Sequence, residues 1–289
     1  MRIKRLVLLG TGLIGGSFAL ALKRAKCVDY VVGVGRNPAN LARALELNVI
    51  DEASGDAATA VAGADLVLLS TPVGQMGGLL QQIAPYLPTH CIVSDAGSTK
   101  QDVSALYQQY LPQHLSRCVP GHPIAGSELS GAAAAQYGLY EGRRVVLTPL
   151  PESGPESVAL LRTLWQACGA EVFEMSALEH DGVFSAVSHV PHLLAFSYMN
   201  ALLDRHNAPL CLDFAATGFK DFTRIAASHP DMWRDITLAN KSAILHDLKA
   251  NAAQLAALIE CIESQNAQGL TEQIVRASTA RNQWGRKSR

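Results

Sequence analysis

The sequence predicts an α/β amino-terminal domain, in which a parallel sheet lies between helices, followed by an all-helical carboxy-terminal domain. Two observations carry this prediction. In the first half of the chain, short apolar runs alternate with helical segments, as in a parallel sheet with helices on both faces. Beyond about residue 175 the composition is almost wholly helical. We therefore predict domains at residues 1–175 and 176–289 of the 289-residue chain.

The predicted strands are short and rich in branched apolar residues, and they lie at residues 6–9, 30–34, 66–70, 91–95, 117–120 and 144–148. Helices are predicted between them, for example at 38–47 and 73–84. A proline-rich segment at 149–155 interrupts this alternation, and a further strand at 171–174 is expected to extend the sheet.

The carboxy-terminal half predicts one long helix over residues 230–265. Its apolar face carries residues at helical spacing, namely Leu245, Leu248, Ala252, Leu255, Ile259 and Ile262. Such a face packs either against its own subunit or against a second copy of the chain. The second alternative predicts a homodimer formed through these helices.

A glycine motif follows the first strand directly and opens the first helix. It comprises Gly10, Thr11, Gly12, Leu13, Ile14 and Gly15. In this context the first glycine permits the tight turn, the second lets a pyrophosphate approach bare backbone, and the third allows close packing of helix and strand. The motif predicts a Rossmann-type dinucleotide-binding domain. Ser70, Thr71 and Pro72 follow a later strand and are expected to line the same crevice.

The end of the second strand indicates which dinucleotide binds. NAD-selective domains carry an acid about 20 residues beyond the glycines, where it binds the ribose 2′-hydroxyl. This chain has Gly35, Arg36 and Asn37 there instead. A guanidinium without a carboxylate suits a 2′-phosphate, so NADP is favoured over NAD. The alternative is that Arg36 is a solvated surface residue.

The composition excludes several classes of function. The 24 basic and 25 acidic residues nearly balance, so no strong field draws the protein to nucleic acid or to an anionic membrane. The six cysteines are scattered without a Cys-x-x-Cys pair, which predicts reduced thiols and neither a disulfide framework nor a zinc site. With no signal-peptide pattern and no membrane-length apolar run, we expect a cytoplasmic protein that acts on a small molecule and holds no metal.

Three polar segments are expected at the ends of apolar strands, where α/β enzymes place their chemistry. They contain Ser98, His122 and the pair His189 and His192. His122 stands between glycine and proline, which suits an imidazole that must present one nitrogen in a fixed direction, although a structural histidine is an alternative. The two later histidines fit substrate contact or packing better than a metal site. Asp95 and Lys100 are expected to be a helix N-terminal acid and a solvated base.

In order and spacing, these segments resemble the prephenate/arogenate dehydrogenase family. The resemblance rests on the glycine motif and on the segments at 95–100, 121–128, 188–192, 219–226 and 230–235. It implies NAD(P)-dependent oxidative decarboxylation of a cyclohexadienyl acid in tyrosine biosynthesis, performed by a homodimer. His122 would then accept the hydrogen bond of the ring hydroxyl and Ser98 would help to position it. Arg224 would bind the ring carboxylate.

Other residues are placed near the substrate by the same resemblance: Ser127, His189, His192 and Trp233. Arogenate carries an ammonium where prephenate carries a keto group, so discrimination requires an acidic or polar partner. Glu141 is the candidate, and we expect arogenate to be accepted, with either substrate open. The rival interpretations are a β-hydroxyacid or imine reductase, or an NADP-sensing protein without turnover.

Overall fold

The computed structural model describes residues 2–126 and 129–287. Its strands are β1 Ile3–Leu9, β2 Val28–Val34, β3 Glu52–Ser54, β4 Leu66–Leu69, β5 Ile92–Asp95, β6 Cys118–Val119, β7 Gly121–Pro123, β8 Arg144–Leu147 and β9 Glu171–Glu174. Its first helices are α1 Leu13–Arg24, α2 Pro38–Glu46, α3 Ala57–Ala60, α4 Val73–Ile83, α5 Gln101–Tyr110 and α6 Pro155–Ala167. The later ones are α7 Ala177–Phe184, α8 Val190–Leu203, α9 Ala208–Asp213, α10 Thr217–Thr223, α11 Pro230–Ala239, α12 Lys241–Glu263 and α13 Ala267–Lys287.

The main sheet has six parallel strands in the order β3-β2-β1-β4-β5-β6. The order reverses beside β1, which is the switch point of a doubly wound sheet and the usual place for a ligand. The Rossmann-type fold predicted from the alternation of strands and helices is therefore confirmed. The short strand β3, with only three residues, was not predicted, because so short a run has no readable period.

The sheet is buried on both faces because successive side chains of a strand point to opposite sides. Leu6 and Leu8 of β1 belong to one core, together with Phe18 of α1 and Trp165 of α6. Val7 belongs to the other core, and the two alternating faces explain why the central strands read as unbroken apolar runs. Helices on both faces position the carboxyl ends of all six strands at one edge.

A second, three-stranded sheet corrects the prediction that all strands share one sheet. Its order is β7-β8-β9, with β7 antiparallel to β8 and β8 parallel to β9. Pro120 separates β6 from β7, and proline cannot donate a ladder hydrogen bond. The chain therefore leaves the main sheet there, and β7 carries His122 away from it, paired with Val146.

The carboxy-terminal half is helical, as predicted. The single long helix expected over residues 230–265 is wrong, however, because the structure has α11 and α12 with Asn240 between them. Asn240 is buried, and its side-chain amide donates to the backbone oxygen of Asp181. The pattern of apolar residues could not reveal this break, since both helices keep the helical period.

The chain divides into two compact units, Met1–Lys241 and Ser242–Arg289. The first contains both sheets and the helices through α11, and the second contains nearly all of α12 and α13. The predicted boundary at residue 175 stays a prediction. No helix in the described part of the chain is long and apolar enough to cross a membrane.

Candidate active site

The glycine turn between β1 and α1 has the geometry of a phosphate-binding loop. Gly10 has φ +107°, and a Cβ there would lie 2.8 Å from the Ser70 backbone oxygen. A Cβ on Gly15 would lie 2.2 Å from the Ser70 hydroxyl oxygen. A Cβ on Gly12, in contrast, would meet no atom within 4 Å. The turn therefore requires glycine at two positions for packing and presents open backbone at the third.

The amino-terminal end of α1 suits an anion. Gly12 is its N-cap, and no side chain caps the first N–H groups of the helix. These groups and the helix dipole favour a negatively charged ligand. A dinucleotide pyrophosphate fits here, where Gly12, Leu13 and Ile14 would hold it. Thr11, in the same turn, is buried, and its hydroxyl accepts from the Asn40 side-chain amide at 2.9 Å.

The other predicted cofactor residues lie at the same edge of the sheet. Ser70 follows β4 and donates its hydroxyl to the Gly10 backbone oxygen at 2.7 Å, and Pro72 is the N-cap of α4. Arg36, after β2, is exposed. Asn37 is the N-cap of α2, where its side-chain oxygen accepts from Ala39 at 2.9 Å. Capping is a role that the sequence analysis did not give to Asn37.

His122 heads a chain of hydrogen bonds that sequence reasoning missed. Its Nδ1 lies 2.8 Å from Nε2 of His180, and Nδ1 of His180 lies 2.8 Å from the Asp181 carboxylate. His180 and Asp181 are fully buried. They sit on α7, which begins where Ser176 caps the backbone N–H of Glu179. The adjacent His-Asp pair is the signal in the sequence that could have found them.

The Asp181 carboxylate determines which nitrogen carries the hydrogen in each imidazole of this hydrogen-bond chain. Burial raises its pKa, but hydrogen bonds from His180 and from the backbone N–H groups of Gln101 and Lys100 lower it below the ordinary value. An ionised carboxylate can only accept, so Nδ1 of His180 carries a hydrogen. Nε2 of His180 then accepts from Nδ1–H of His122. Nε2 of His122 is left as an acceptor for a ligand.

Burial also keeps the two imidazoles uncharged. It lowers the pKa of His122 well below the ordinary value, with the neighbouring His180 and Lys100 adding to the effect. The pKa of His180 is lowered as well, again chiefly by burial. A neutral imidazole can accept a proton. His122 is therefore suited to the role of base that its flanking residues predicted.

Asp95 and Lys100 do not have the roles expected from the sequence. Asp95 and the whole Lys100 side chain are fully buried and form an ion pair. The prediction of Lys100 as a solvated base is therefore wrong. The predicted role of Asp95 as a helix N-terminal acid is also wrong, because its carboxylate accepts from the backbone of Gly97 and Gly121. Half-buried Ser98 follows Gly97 in the loop after β5.

The later histidines lie beside the same group. Nδ1 of buried His189 is 3.1 Å from the Asn240 amide nitrogen, and that nitrogen also donates to the Asp181 backbone. Nε2 of His189 therefore carries the hydrogen. His192 stacks on Trp233, with ring centroids 3.7 Å apart at 22°. Its Nδ1 donates to the Ser188 backbone oxygen, which leaves Nε2 as an acceptor.

Arg224 lies at the end of α10 and begins a short 3-10 turn that packs on α8. Its charge acts on His192, whose pKa is lowered first by burial and then by Arg224. The structure thus brings His122, His189, His192, Trp233 and Arg224 into one continuous group around α7, α8 and α11. Among the described residues, no cluster of three or more histidine, cysteine or carboxylate side chains could hold a metal ion.

The remaining predicted substrate residues are Ser127 and Glu141. Ser127 lies outside the described residues. Glu141 is exposed, with a carboxylate oxygen 3.7 Å from the Arg24 guanidinium, and it lines an open cavity of about 400 Å³ with Ile124, Tyr137 and Arg143.

The cysteines are all free, and Cys91, Cys118 and Cys168 are buried whereas the other three are partly exposed.

Comparison with known proteins adds the family. The model of the prephenate dehydrogenase nucleotide-binding domain matches residues 18–174, and that of the prephenate dehydrogenase dimerization domain matches residues 176–276. This chain belongs to the prephenate dehydrogenase family. The resemblance noted in the sequence is thereby confirmed, and the protein is an oxidoreductase of that family.

Individual relatives agree over nearly the whole chain. The prephenate dehydrogenase of Bacillus subtilis is 39% identical over 92% of this chain and 72% of its own length. The cyclohexadienyl dehydrogenase of Zymomonas mobilis is 36% identical over 96% of this chain and 95% of its own. The Aquifex aeolicus prephenate dehydrogenase, solved in complex with hydroxyphenyl propionate and NAD+, superposes with TM-score 0.91 at 33% identity, covering 98% and 99% of the two chains.

Proposed function

We propose that this protein catalyses the NADP-dependent oxidative decarboxylation of a cyclohexadienyl acid, arogenate or prephenate. The observation that carries the proposal is the Nε2 acceptor of His122, which has no partner among the described residues, in an imidazole held through Nδ1 by His180 and Asp181. A base of this kind is what removal of the ring hydroxyl proton requires. The family assignment and the open glycine turn support the same reaction.

His122 takes the proton of the ring hydroxyl, and the ring carbon that carries this hydroxyl loses a hydride and becomes a carbonyl. A nicotinamide bound beside it would accept that hydride. The carboxylate on the opposite ring carbon leaves as carbon dioxide, its bonding electrons pass through the ring to the carbonyl oxygen, and the proton held by His122 returns to that oxygen, so the product is a phenol. Donation from Nδ1–H of His122 to His180 stabilises the positive charge that develops on the imidazole, because Asp181 stands behind it.

The remaining residues orient the ring. Arg224 binds the ring carboxylate through a planar guanidinium, which matches a carboxylate with two parallel hydrogen bonds. The stacked His192 and Trp233 form an apolar wall beside it, and His189 stiffens that wall from behind. Ser98 and Ser127 position the hydroxyl end of the substrate. Orientation of this kind accounts for a large part of such a rate enhancement.

The choice of NADP rests on Arg36. It is exposed at the end of β2, where no carboxylate is present to bind a 2′-hydroxyl. A guanidinium at that position attracts a 2′-phosphate and gives nothing to NAD. The roles of Gly10, Thr11, Gly12, Leu13, Ile14, Gly15, Asn37, Ser70, Thr71 and Pro72 in cofactor binding belong to this proposal.

The proposed enzyme is a homodimer. The apolar face predicted on the last helices remains exposed, with Leu255 at 60% and Ile262 at 64% of full exposure. Contiguous apolar surface of this kind marks an interface, and the match to a dimerization domain supports a second copy as the partner. Sedimentation equilibrium is expected to give twice the chain mass of 30.8 kDa. A monomer would contradict the dimer.

One experiment tests the function. Initial rates are measured for arogenate and prephenate with each of NADP and NAD, which gives four specificity constants. We expect turnover of at least one acid, a preference for NADP, and loss of that preference in Arg36→Ala. Binding of NADP without turnover of either acid would favour the sensing protein, and turnover of a β-hydroxyacid or an imine in their place would favour the reductase.

A further inference from the structure

The ion pair between Asp95 and Lys100 is buried to an unusual degree. Both residues have no exposed surface, and Lys100 is among the largest side chains that are fully buried. Desolvation of two charges costs about as much as their attraction returns, so a buried pair is weak evidence for stability. Stability alone therefore does not explain why this pair lies in the core.

The Asp95 carboxylate links two parts of the active site. One oxygen accepts from the backbone N–H of Gly97 at 2.7 Å, in the loop that carries Ser98. The other accepts from the N–H of Gly121 at 3.1 Å, directly before His122. Asp95 itself ends β5, whose position is fixed by the main sheet. The carboxylate thus holds the serine loop and the histidine strand at a set separation.

Lys100 links the same unit to the hydrogen-bond chain behind His122. Its ammonium pairs with Asp95, while its backbone N–H donates to the Asp181 carboxylate at 2.8 Å. Gln101 adds a second backbone donor to Asp181 at 2.9 Å. Two buried carboxylates and one buried lysine therefore join β5, β7, α5 and α7 behind the reacting imidazole.

The charges that face His122 come from each element packed around it. His180 and Asp181 lie on α7, His189 lies on the turn before α8, and Lys100 lies at the start of α5. Asp95 lies at the end of β5, where its carboxylate accepts from the backbone N–H of Gly121 directly before His122. Of these, Lys100 brings the positive charge that acts on both imidazoles. A positive charge in a site of low polarity disfavours a second one nearby.

We propose that Asp95 and Lys100 are positioning residues for the reaction: Asp95 fixes His122 relative to the Ser98 loop, and Lys100 fixes Asp95 relative to the Asp181 carboxylate behind His180. The proposal rests on the proposed function, in which His122 must present its Nε2 to the ring hydroxyl. In this role the buried pair supports the reaction without contact between either residue and the substrate.

The test is the double variant Asp95→Asn/Lys100→Met, which replaces the pair by neutral groups of similar size. Such replacements are often neutral for folding. The matched control is Asp51→Asn/Lys23→Met, which removes the partly exposed pair between α1 and the segment before β3. Each protein is followed by 1H–15N spectra of the His122 imidazole, which need no substrate, and by steady-state kinetics.

For the double variant we expect the Nδ1–H resonance of His122 to shift, because the strand that carries His122 is no longer held by Asp95 and its hydrogen bond to His180 changes. We also expect kcat to fall at least about tenfold, with little change in KM for NADP. The control is expected to show neither effect. A folded double variant whose Nδ1–H resonance matches that of the wild type overturns the proposal, whatever its activity. A displaced resonance in a protein without turnover of either acid would sink the proposed function alone.

If the double variant does not fold, Lys100→Arg decides the question. It keeps the ion pair with Asp95, so the proposal predicts the wild-type Nδ1–H resonance of His122 and the wild-type kcat. A displaced resonance in this variant would overturn the proposal.

Discussion

The glycine turn after β1 and the polar group behind His122 form two sides of the candidate active site, and they are built in different ways. In the turn, function follows from consecutive residues: Gly10 takes a positive φ, and Gly12 leaves open space. In the polar group, each step joins residues far apart in sequence, such as His122 and His180. A local motif therefore prepares the cofactor side, whereas tertiary contacts prepare the base.

The largest effect should come from the polar side. His122→Asn removes the base and keeps a small polar side chain, so we expect kcat to fall by about 10²- to 10⁴-fold. The dissociation constant for NADP should change little, because the glycine turn is independent of the imidazole. Steady-state kinetics and titration calorimetry measure the two quantities. His206→Asn, at an exposed position, is the control.

A small effect on kcat with a large effect on NADP binding would reverse the comparison. It would place His122 on the cofactor side of the site.

The next effect concerns acid stability. Burial lowers the pKa of His189 to about 4, whereas the unfolded chain has an ordinary value of about 6.5. Because the folded pKa is depressed, this contribution is fully present above pH 6.5 and is lost as the pH falls toward 4. The loss amounts to roughly 3 kcal/mol, at 1.36 kcal/mol per pH unit.

Urea unfolding at pH 7 and pH 4 measures this loss. His189→Asn should lose less stability over that interval than the wild type, since the titrating group is gone. Equal losses in the two proteins would mean that His189 is hydrated or charged in the folded state.

Two alanine substitutions separate packing from binding in the glycine turn. Gly10→Ala forces a side chain into a left-handed backbone and against Ser70, so the free energy of unfolding should fall by about 1–3 kcal/mol. Gly12→Ala meets no protein atom, so stability should hold while the Kd for NADP rises about tenfold, or about 1.4 kcal/mol. Equal stabilities and equal Kd values in the two variants would contradict the role given to this turn in binding the cofactor phosphates.

The smallest effect is expected at Glu141. Its carboxylate is exposed and lies beside Arg24, and exposed charge pairs contribute about 0.2–1 kcal/mol. Glu141→Gln should therefore lower kcat/KM for arogenate less than about fivefold and leave prephenate unchanged. A loss of a hundredfold for arogenate alone would place the ammonium directly on this carboxylate.

These two sides also explain what the sequence could predict. The strands, the helices and the glycine turn follow from local period and from the steric freedom of glycine. The separate sheet begun by β7 could not be predicted, because it depends on which strand pairs with Arg144–Leu147. Similarly, nothing local distinguishes a buried Lys100 from a solvated one.

The site shows the same division. His122, Ser98, His189, His192, Trp233 and Arg224 were all named from their segments, and the structure brings most of them into one group. His180, Asp181 and Asn240 were missed because their importance lies in contacts between α7, α11 and β7. A histidine followed by an aspartate has no signature until its partner across the fold is known.

The central claim is that His122 offers an uncharged Nε2 acceptor because its Nδ1–H donates to His180. Long-range 1H–15N correlation spectra of the imidazoles at pH 7 test it most directly. We expect both His122 and His180 in the neutral Nδ1–H form, with Nε2 of His122 showing the shift of an unprotonated nitrogen. A protonated Nε2 on His122, in either the neutral or the charged ring, would contradict the account.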